Sequence, residues 1–311
     1  MNNLLQQLKT QFNSGSMSLK LIIINASIFV VYTVLSLIIK LFVREFDLLR
    51  YFSVPMNIGD LLYKPWTIVT HLFFHVGLGH LFWNMVMLYF LGNYFQSRLG
   101  NKKLLSVYLV GGFTGFLFAW LCYSIFPVLI NQIEGISLTL VGASAGISAI
   151  MVAIGFYTPN QEIRVPFIQR SFKLLHVILF FVILDVIRLN ADIGDVRGNS
   201  GGWLAHIGGA IFGYFYATFL LKGKNILKGF EKFLDSFFNI VKGNFKLKKK
   251  TKLKVNKGGG SKKPPKDDYD YNTQRKDNQN RTDVILDKIS KSGYESLTKK
   301  EKDFLFTQSK K

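Results

Sequence analysis

Cysteine is nearly absent from this 311-residue chain: Cys122 stands alone. A single thiol excludes an internal disulfide, so nothing in the fold depends on an oxidising compartment. Charge is also scarce, at 19% of residues, and acidic side chains (19) are far fewer than Lys and Arg (39), giving a net charge of +20. With 49% hydrophobic residues and a mean hydropathy of +0.22, an ordinary soluble domain is excluded, because too much apolar surface would face water. The charge is unevenly distributed: 25 of the 39 basic and 11 of the 19 acidic residues lie from residue 222 onward. The front of the chain is apolar and the back is a basic, polar tail.

A bilayer core about 30 Å thick takes roughly 20 apolar helical residues, fewer where a helix ends inside protein. Six stretches qualify: residues 19–43, 80–95, 104–126, 141–157, 173–189 and 203–221. Residues 1–18 are polar and precede a span too long, and without a small-residue cleavage site, to be a removable signal. Basic residues are retained on the cytoplasmic side. Arg98, Lys102 and Lys103 follow span two, Arg164, Arg170 and Lys173 follow span four, and lysines crowd the tail after span six. These connections belong on one side; Glu134 after span three, and Asp192 and Asp195 against Arg197 after span five, belong on the other. The pattern predicts an all-α polytopic protein of six transmembrane helices with both termini cytoplasmic and a long outer loop over residues 44–79.

Beyond the helical region, 19–221, residues 222–280 read as a basic, mostly disordered cytoplasmic linker, with Lys-, Gly- and Pro-bearing sequence over 246–266 that cannot bury a core. Residues 281–311 read as a small amphipathic helical element, with helices over 283–292 and 298–306 separated by Gly293. Thr298 and Glu301 have the spacing of a capping box. Beside a membrane helix the lysine run suits anionic lipid of the inner leaflet, and nucleic acid is not expected as a partner.

Polar groups inside spans are costly and are functional candidates by default. Four stand out: His80, Asn84, Ser144 and His206. Span two starts from the outside, with His80 and Asn84 four apart on one face; Ser144 and His206 each lie near the outer start of spans four and six. All four are at a similar shallow depth. Span six carries Ala205, Gly209, Gly213 and Ala217, and span four carries Gly142, Gly146, Ala149 and Ala153; such stripes let membrane helices pack closely. Packed together, they bring Ser144 to His206. An imidazole that accepts its proton turns a weak serine hydroxyl into a nucleophile, and His80 and Asn84 can donate to an oxyanion. Asp185, three residues from Arg188, reads as a local ion pair, leaving a Ser/His dyad. His176 lies near the other end of span five and reads as structural. His71 and His75 precede span two without the spacing or the acid and thiol neighbours of a zinc site, so no metal and no cofactor is assigned. A small transporter would show repeated or broken spans near mid-membrane, and neither is visible.

These residues resemble the rhomboid intramembrane serine proteases. The resemblance rests on Pro65-Trp66, on His71-Leu72-Phe73-Phe74-His75 leading to His80-Leu81-Phe82-Trp83-Asn84, on Arg98-Leu99-Gly100, on Gly142-Ala143-Ser144, and on Ala205-His206-Ile207-Gly208-Gly209 with Gly213. It covers residues 19–221. It implies a six-helix rhomboid-like bundle with a membrane-associated outer loop after helix 1, in a bacterial inner membrane. It also implies a serine endopeptidase that cuts transmembrane protein substrates near the outer face of the bilayer, without metal or cofactor. Ser144 is then the nucleophile and His206 the general base; His80, Asn84 and the Ser144 amide line the oxyanion site; Gly142, Gly209 and Gly213 are packing glycines. The sequence departs from the family at Ala145, a glycine in the common motif, and at Ser148, where many relatives place an aromatic against the histidine. It departs again at Thr67 and Gln96, expected to concern loop anchoring. The alternative is an inactive rhomboid-like protein that binds transmembrane helices without cleavage; retention of both Ser144 and His206 separates the two.

Overall fold

A helix satisfies its own backbone hydrogen bonds, which is why apolar segments of this length cross hydrocarbon as helices. The computed structural model describes residues 15–133, 138–164, 170–195, 198–241 and 268–308. They fall into two compact units, within Met1–Phe245 and within Lys246–Lys311.

The first unit is an all-α bundle. Its principal helices are α1 (Met17–Phe42), α2 (Leu78–Met87), α3 (Asn101–Ile125), α4 (Ser144–Tyr157), α5 (Leu174–Asp192) and α6 (Ser200–Leu221). Among the described residues, α1, α3, α5 and α6 are long and apolar enough to cross a membrane by length and composition. The other two expected spans take different forms. α2 continues through a π-helical turn, Leu88–Gly92, into a last helical segment, Asn93–Leu99. α4 has 14 residues and is buried without interruption from Ala145 to Gly155. A helix enclosed by protein on all sides need not match the bilayer thickness.

Small residues set how closely α3, α4 and α6 approach. A Cβ on Gly209 would collide with the Ala145 carbonyl oxygen, and one on Gly213 with that of Ala149. The stripe of α6 therefore lies against the backbone of α4. Gly146 instead faces α3, where a Cβ would stand 2.5 Å from the Tyr108 carbonyl oxygen, and Gly111 of α3 abuts Ala149. Lipid gives helices no hydrophobic reason to associate, so contact at this range is what holds them together. α1 and α5 are mostly exposed and carry apolar side chains outward, among them Leu37, Leu41, Phe180 and Ile187, as lipid-facing helices require.

The loop between α1 and α2 is folded onto one end of the bundle. Its strand β1 (Val54–Pro55) pairs antiparallel with β2 (Thr139–Leu140), placing Val54 opposite Leu140 just ahead of α4. Trp66 Nε1–H donates to the Tyr51 carbonyl at 2.8 Å, Thr70 Oγ1–H donates to that of Phe52 at 2.9 Å, and Phe52 stacks on Phe74 with centroids 4.2 Å apart. The buried Tyr108 hydroxyl donates to the Leu72 carbonyl at 2.8 Å, tying the loop to α3.

At the opposite end, β3 (Glu162–Arg164) pairs with β4 (Ser171–Lys173). Gln96 does not anchor the loop between α1 and α2: its side chain accepts from the Ser18 amide at 3.1 Å and donates to Asn93 at 2.7 Å, fixing the start of α1 against the helical segment Asn93–Leu99. Thr67 does serve the loop, donating to the Lys64 carbonyl at 2.6 Å.

Part of the expected linker is helical: α7 (Lys228–Val241) follows α6. Phe230, Phe233, Leu234, Phe237, Ile240 and Val241 share one face by helical spacing, and Asp235 on the other pairs with Lys102 at 2.8 Å. The second unit contains α8 (Asp268–Ser292) and α9 (Lys299–Gln308). α8 begins well before the expected residue 283. Glu301 closes one half of the capping box, accepting from the Thr298 amide at 2.7 Å and from its hydroxyl at 2.8 Å. The lysine-rich stretch 246–266 lies outside the described residues.

Candidate active site

The site forms where α2, α4 and α6 begin and α5 ends. β2 delivers the chain to Gly142, whose amide donates to the His71 carbonyl at 2.8 Å and whose φ of +132° a side chain would strain. Ser144 is then the first residue of α4. The sequence places Gly142 on the helical stripe, but it precedes the helix, and its lack of a side chain serves something else. A Cβ there would lie 2.9 Å from His80 Nε2 and 3.7 Å from Ser144 Oγ. The bare glycine thus leaves open the space between the imidazole and the hydroxyl. The first amides of α4 have no intrahelical acceptor and carry the positive end of the helix dipole.

His80 lies in the first turns of α2. Its Nδ1 is buried with no hydrogen-bond partner among the described residues, and its ring stands edge-on to that of His75 with centroids 5.1 Å apart. Asn84, buried one turn further on, donates one amide hydrogen to the His80 carbonyl at 2.9 Å. Its second makes no hydrogen bond among the described residues. In the loop between α1 and α2, burial pushes the His71 imidazole down to about 4, against a weaker opposing pull from the Thr67 and Ile68 backbone. His71 is therefore neutral at physiological pH.

His206 lies in the second turn of α6. Its Nδ1 is 3.2 Å from Asp185 Oδ1 on α5, and its ring meets the edge of Trp203 at 5.4 Å between centroids. Here the expectation from the sequence is corrected. Asp185 does not pair with Arg188; the Arg188 guanidinium lies over Trp203, 5.0 Å from its centroid, and the Asp185 carboxylate turns to His206. The i, i+3 spacing permitted a local pair, but the neighbouring helix offers the acid a better-shielded partner. Trp203 is in turn held by its Nε1–H, which donates to Asp192 Oδ2 at 2.7 Å.

All four polar candidates, with Gly142, Asp185 and Ser148, line a single cavity of about 730 Å³. Gly209 and Gly213 lie outside it, in the α4–α6 contact. His176 is exposed and away from the cavity. Among the described residues no hydrogen bond joins Ser144 to His206, and no group of three or more His, Cys, Asp and Glu is placed to hold a metal ion. Asp185, which sequence spacing pairs with Arg188, and Trp203 stand beside His206 without the sequence alone placing them there. A carboxylate within a span was the available signal for the first.

A multi-pass helical membrane protein with a polar, histidine-lined cavity at one end of its bundle is the class these features define. A family model described as the Rhomboid domain matches residues 63–223, about half of the chain, and the chain belongs to the rhomboid family. Residues 267–311 match a second model, a family of unknown function (DUF6576). Among curated proteins, the chain is 26% identical over 199 residues to RHOMBOID-like protein 12, mitochondrial, of Arabidopsis thaliana, covering 62% of this chain and 54% of that protein. It is 26% identical over 214 residues to the rhomboid protease GlpG of Yersinia pestis (strain Pestoides F), covering 68% and 65% respectively. The chain thus spans between about half and two thirds of the length of these relatives.

Proposed function

We propose that this protein is an intramembrane serine endopeptidase that hydrolyses peptide bonds in transmembrane segments, working at the outer face of a bacterial inner membrane with both termini in the cytoplasm. The observation that carries the reading is the convergence of Ser144, His206, His80 and Asn84, from three helices, on one cavity. Polar groups within spans gather inside a bundle in any case; what favours the reading is that this set combines a hydroxyl, an imidazole and two further donors, the parts that acyl transfer needs. The protease name of the GlpG relative supports the same class of chemistry.

Ser144 Oγ attacks the scissile carbonyl carbon as its proton passes to His206 Nε2. Negative charge develops on the carbonyl oxygen, where His80, the free Asn84 N–H and the Ser144 amide can donate to it. Collapse breaks the C–N bond, and His206 returns the proton to the departing amine. Water, deprotonated by His206, then cleaves the acyl ester and restores the serine. Because a helix hides its carbonyls in its own hydrogen bonds, the substrate has to unwind locally; small or helix-breaking residues near the outer end of a span are the favoured targets. Entry between α2 and α5 fits the light packing of α5, whose buried residues are Leu174 and Ile178 near its far end.

The test is covalent labelling. The purified full chain, treated with a fluorophosphonate and digested, should carry the adduct on Ser144, and His206→Ala should reduce labelling at least about tenfold, as loss of a general base does. Folded wild-type protein that takes up no label contradicts the proposal and favours the helix-binding, non-cleaving alternative.

A further inference from the structure

The histidine of a hydrolytic pair must present a bare Nε2 to the serine, and the group on Nδ1 decides whether it does. In this chain that group is a carboxylate on a different helix, Asp185 Oδ1, at 3.2 Å. We infer that Asp185 is a positioning residue of the active site: standing 3.2 Å from His206 Nδ1 as a charge contact, it takes up the Nδ1–H as the site engages substrate, fixes the reactive tautomer and stabilises the imidazolium formed when Ser144 gives up its proton. The inference rests on the serine-peptidase reading above.

Three observations carry it. The pair is shielded, with side-chain exposures of 18% for His206 and 16% for Asp185, so it is not the water-screened surface contact that contributes little. The competing partner is engaged elsewhere, since Arg188 lies over Trp203. The remaining support for the ring is sparse. Ser148, one turn beyond Ser144, offers no ring to stack on, and Trp203 meets the imidazole edge-on at an interplanar angle of 83°. An edge contact limits tilt but does not choose which nitrogen bears the proton; a carboxylate does. The site is thereby completed across the α5–α6 contact, although the chain reads as a dyad in sequence.

Asp185→Asn keeps the shape of the side chain and removes its charge. The measurements are fluorophosphonate labelling rate and peptide turnover in full-length protein, with Asp185→Glu as the rescue variant and Ser144→Ala as the zero. Expected for Asp185→Asn are an unchanged KM, a kcat and labelling rate lowered by about 10- to 100-fold, within the range of acid–base contributions, and partial recovery in Asp185→Glu. A second readout is independent of turnover: ¹⁵N spectra of histidine-labelled protein, with the His206 signals assigned by their loss in His206→Gln, should show the Nδ1–H tautomer in wild type and its loss in Asp185→Asn. Asp185→Asn protein that labels at the wild-type rate, or wild-type His206 protonated on Nε2, overturns the inference while leaving the peptidase reading intact. Wild type that labels no better than Ser144→Ala overturns the peptidase reading itself.

Discussion

Asp185 and His206, 21 residues apart on adjacent helices, meet at 3.2 Å in the lining of the cavity that Ser144 also lines. Asp192, near the end of α5, makes a second link by accepting from Trp203 and from the Asn199 amide. The start of α6 is therefore held by two acids of α5 at successive depths.

Gly209 tests the packing that brings Ser144 and His206 to one level. A methyl group there meets the Ala145 backbone, which cannot rotate aside as a side chain can. Gly209→Ala should destabilise the bundle by about 1–3 kcal/mol, the usual cost of overpacking, read as a lower midpoint in detergent unfolding. Gly229→Ala, where a Cβ meets nothing within 4 Å, should leave the midpoint unchanged or raised.

Gly142 separates folding from chemistry. Gly142→Ala places a methyl group between His80 Nε2 and Ser144 Oγ and strains a backbone at φ +132°, an effect of about 1–3 kcal/mol. Fluorophosphonate labelling of Ser144 should fall by more than about tenfold, on the reasoning that misplacing reactive groups by 1 Å costs up to a hundredfold. Circular dichroism should remain that of the folded protein. Labelling at the wild-type rate contradicts the role assigned to this glycine.

Glu301 gives the second unit a pH dependence. Bonds from the Thr298 amide and hydroxyl, then Lys288, hold its carboxyl down to about 2 from an ordinary 4.5. A carboxylate with a lowered folded-state pKa stabilises above its unfolded value and loses that contribution as pH falls toward the folded one. The window is therefore about pH 4.5 to 2. The protection factor of the Thr298 amide in hydrogen exchange should decline across that range, and Glu301→Gln should abolish the decline.

The bundle, the order of its spans and the convergence of four polar residues were legible because hydropathy, helical spacing and small-residue stripes are local signals. Asp185 was not: its nearest opposite charge in sequence, Arg188, is on the same helix, and only the α5–α6 approach reveals a different partner. Gly142 looked like part of a helical stripe because nothing in the sequence marks Ser144 as the first helical residue. The π-helical turn at Leu88–Gly92 leaves no compositional trace; it occurs where α1 comes so close that a Cβ on Gly92 would stand 3.0 Å from that of Ser18. α7 was hidden differently. Its apolar residues recur at helical spacing, but they sit in a lysine-rich tail whose average composition reads as linker.

Ser144 is expected to cut peptide bonds within a transmembrane segment. The measurement is cleavage in proteoliposomes of a single-span substrate bearing small and helix-breaking residues near its outer end, with wild-type protein and Ser144→Ala compared and the cut site mapped by mass spectrometry. Wild type should cut within the span near that outer end, and Ser144→Ala should leave the substrate whole. Equal cleavage by the two proteins, or a folded wild type that leaves every such substrate intact, would contradict that role for Ser144.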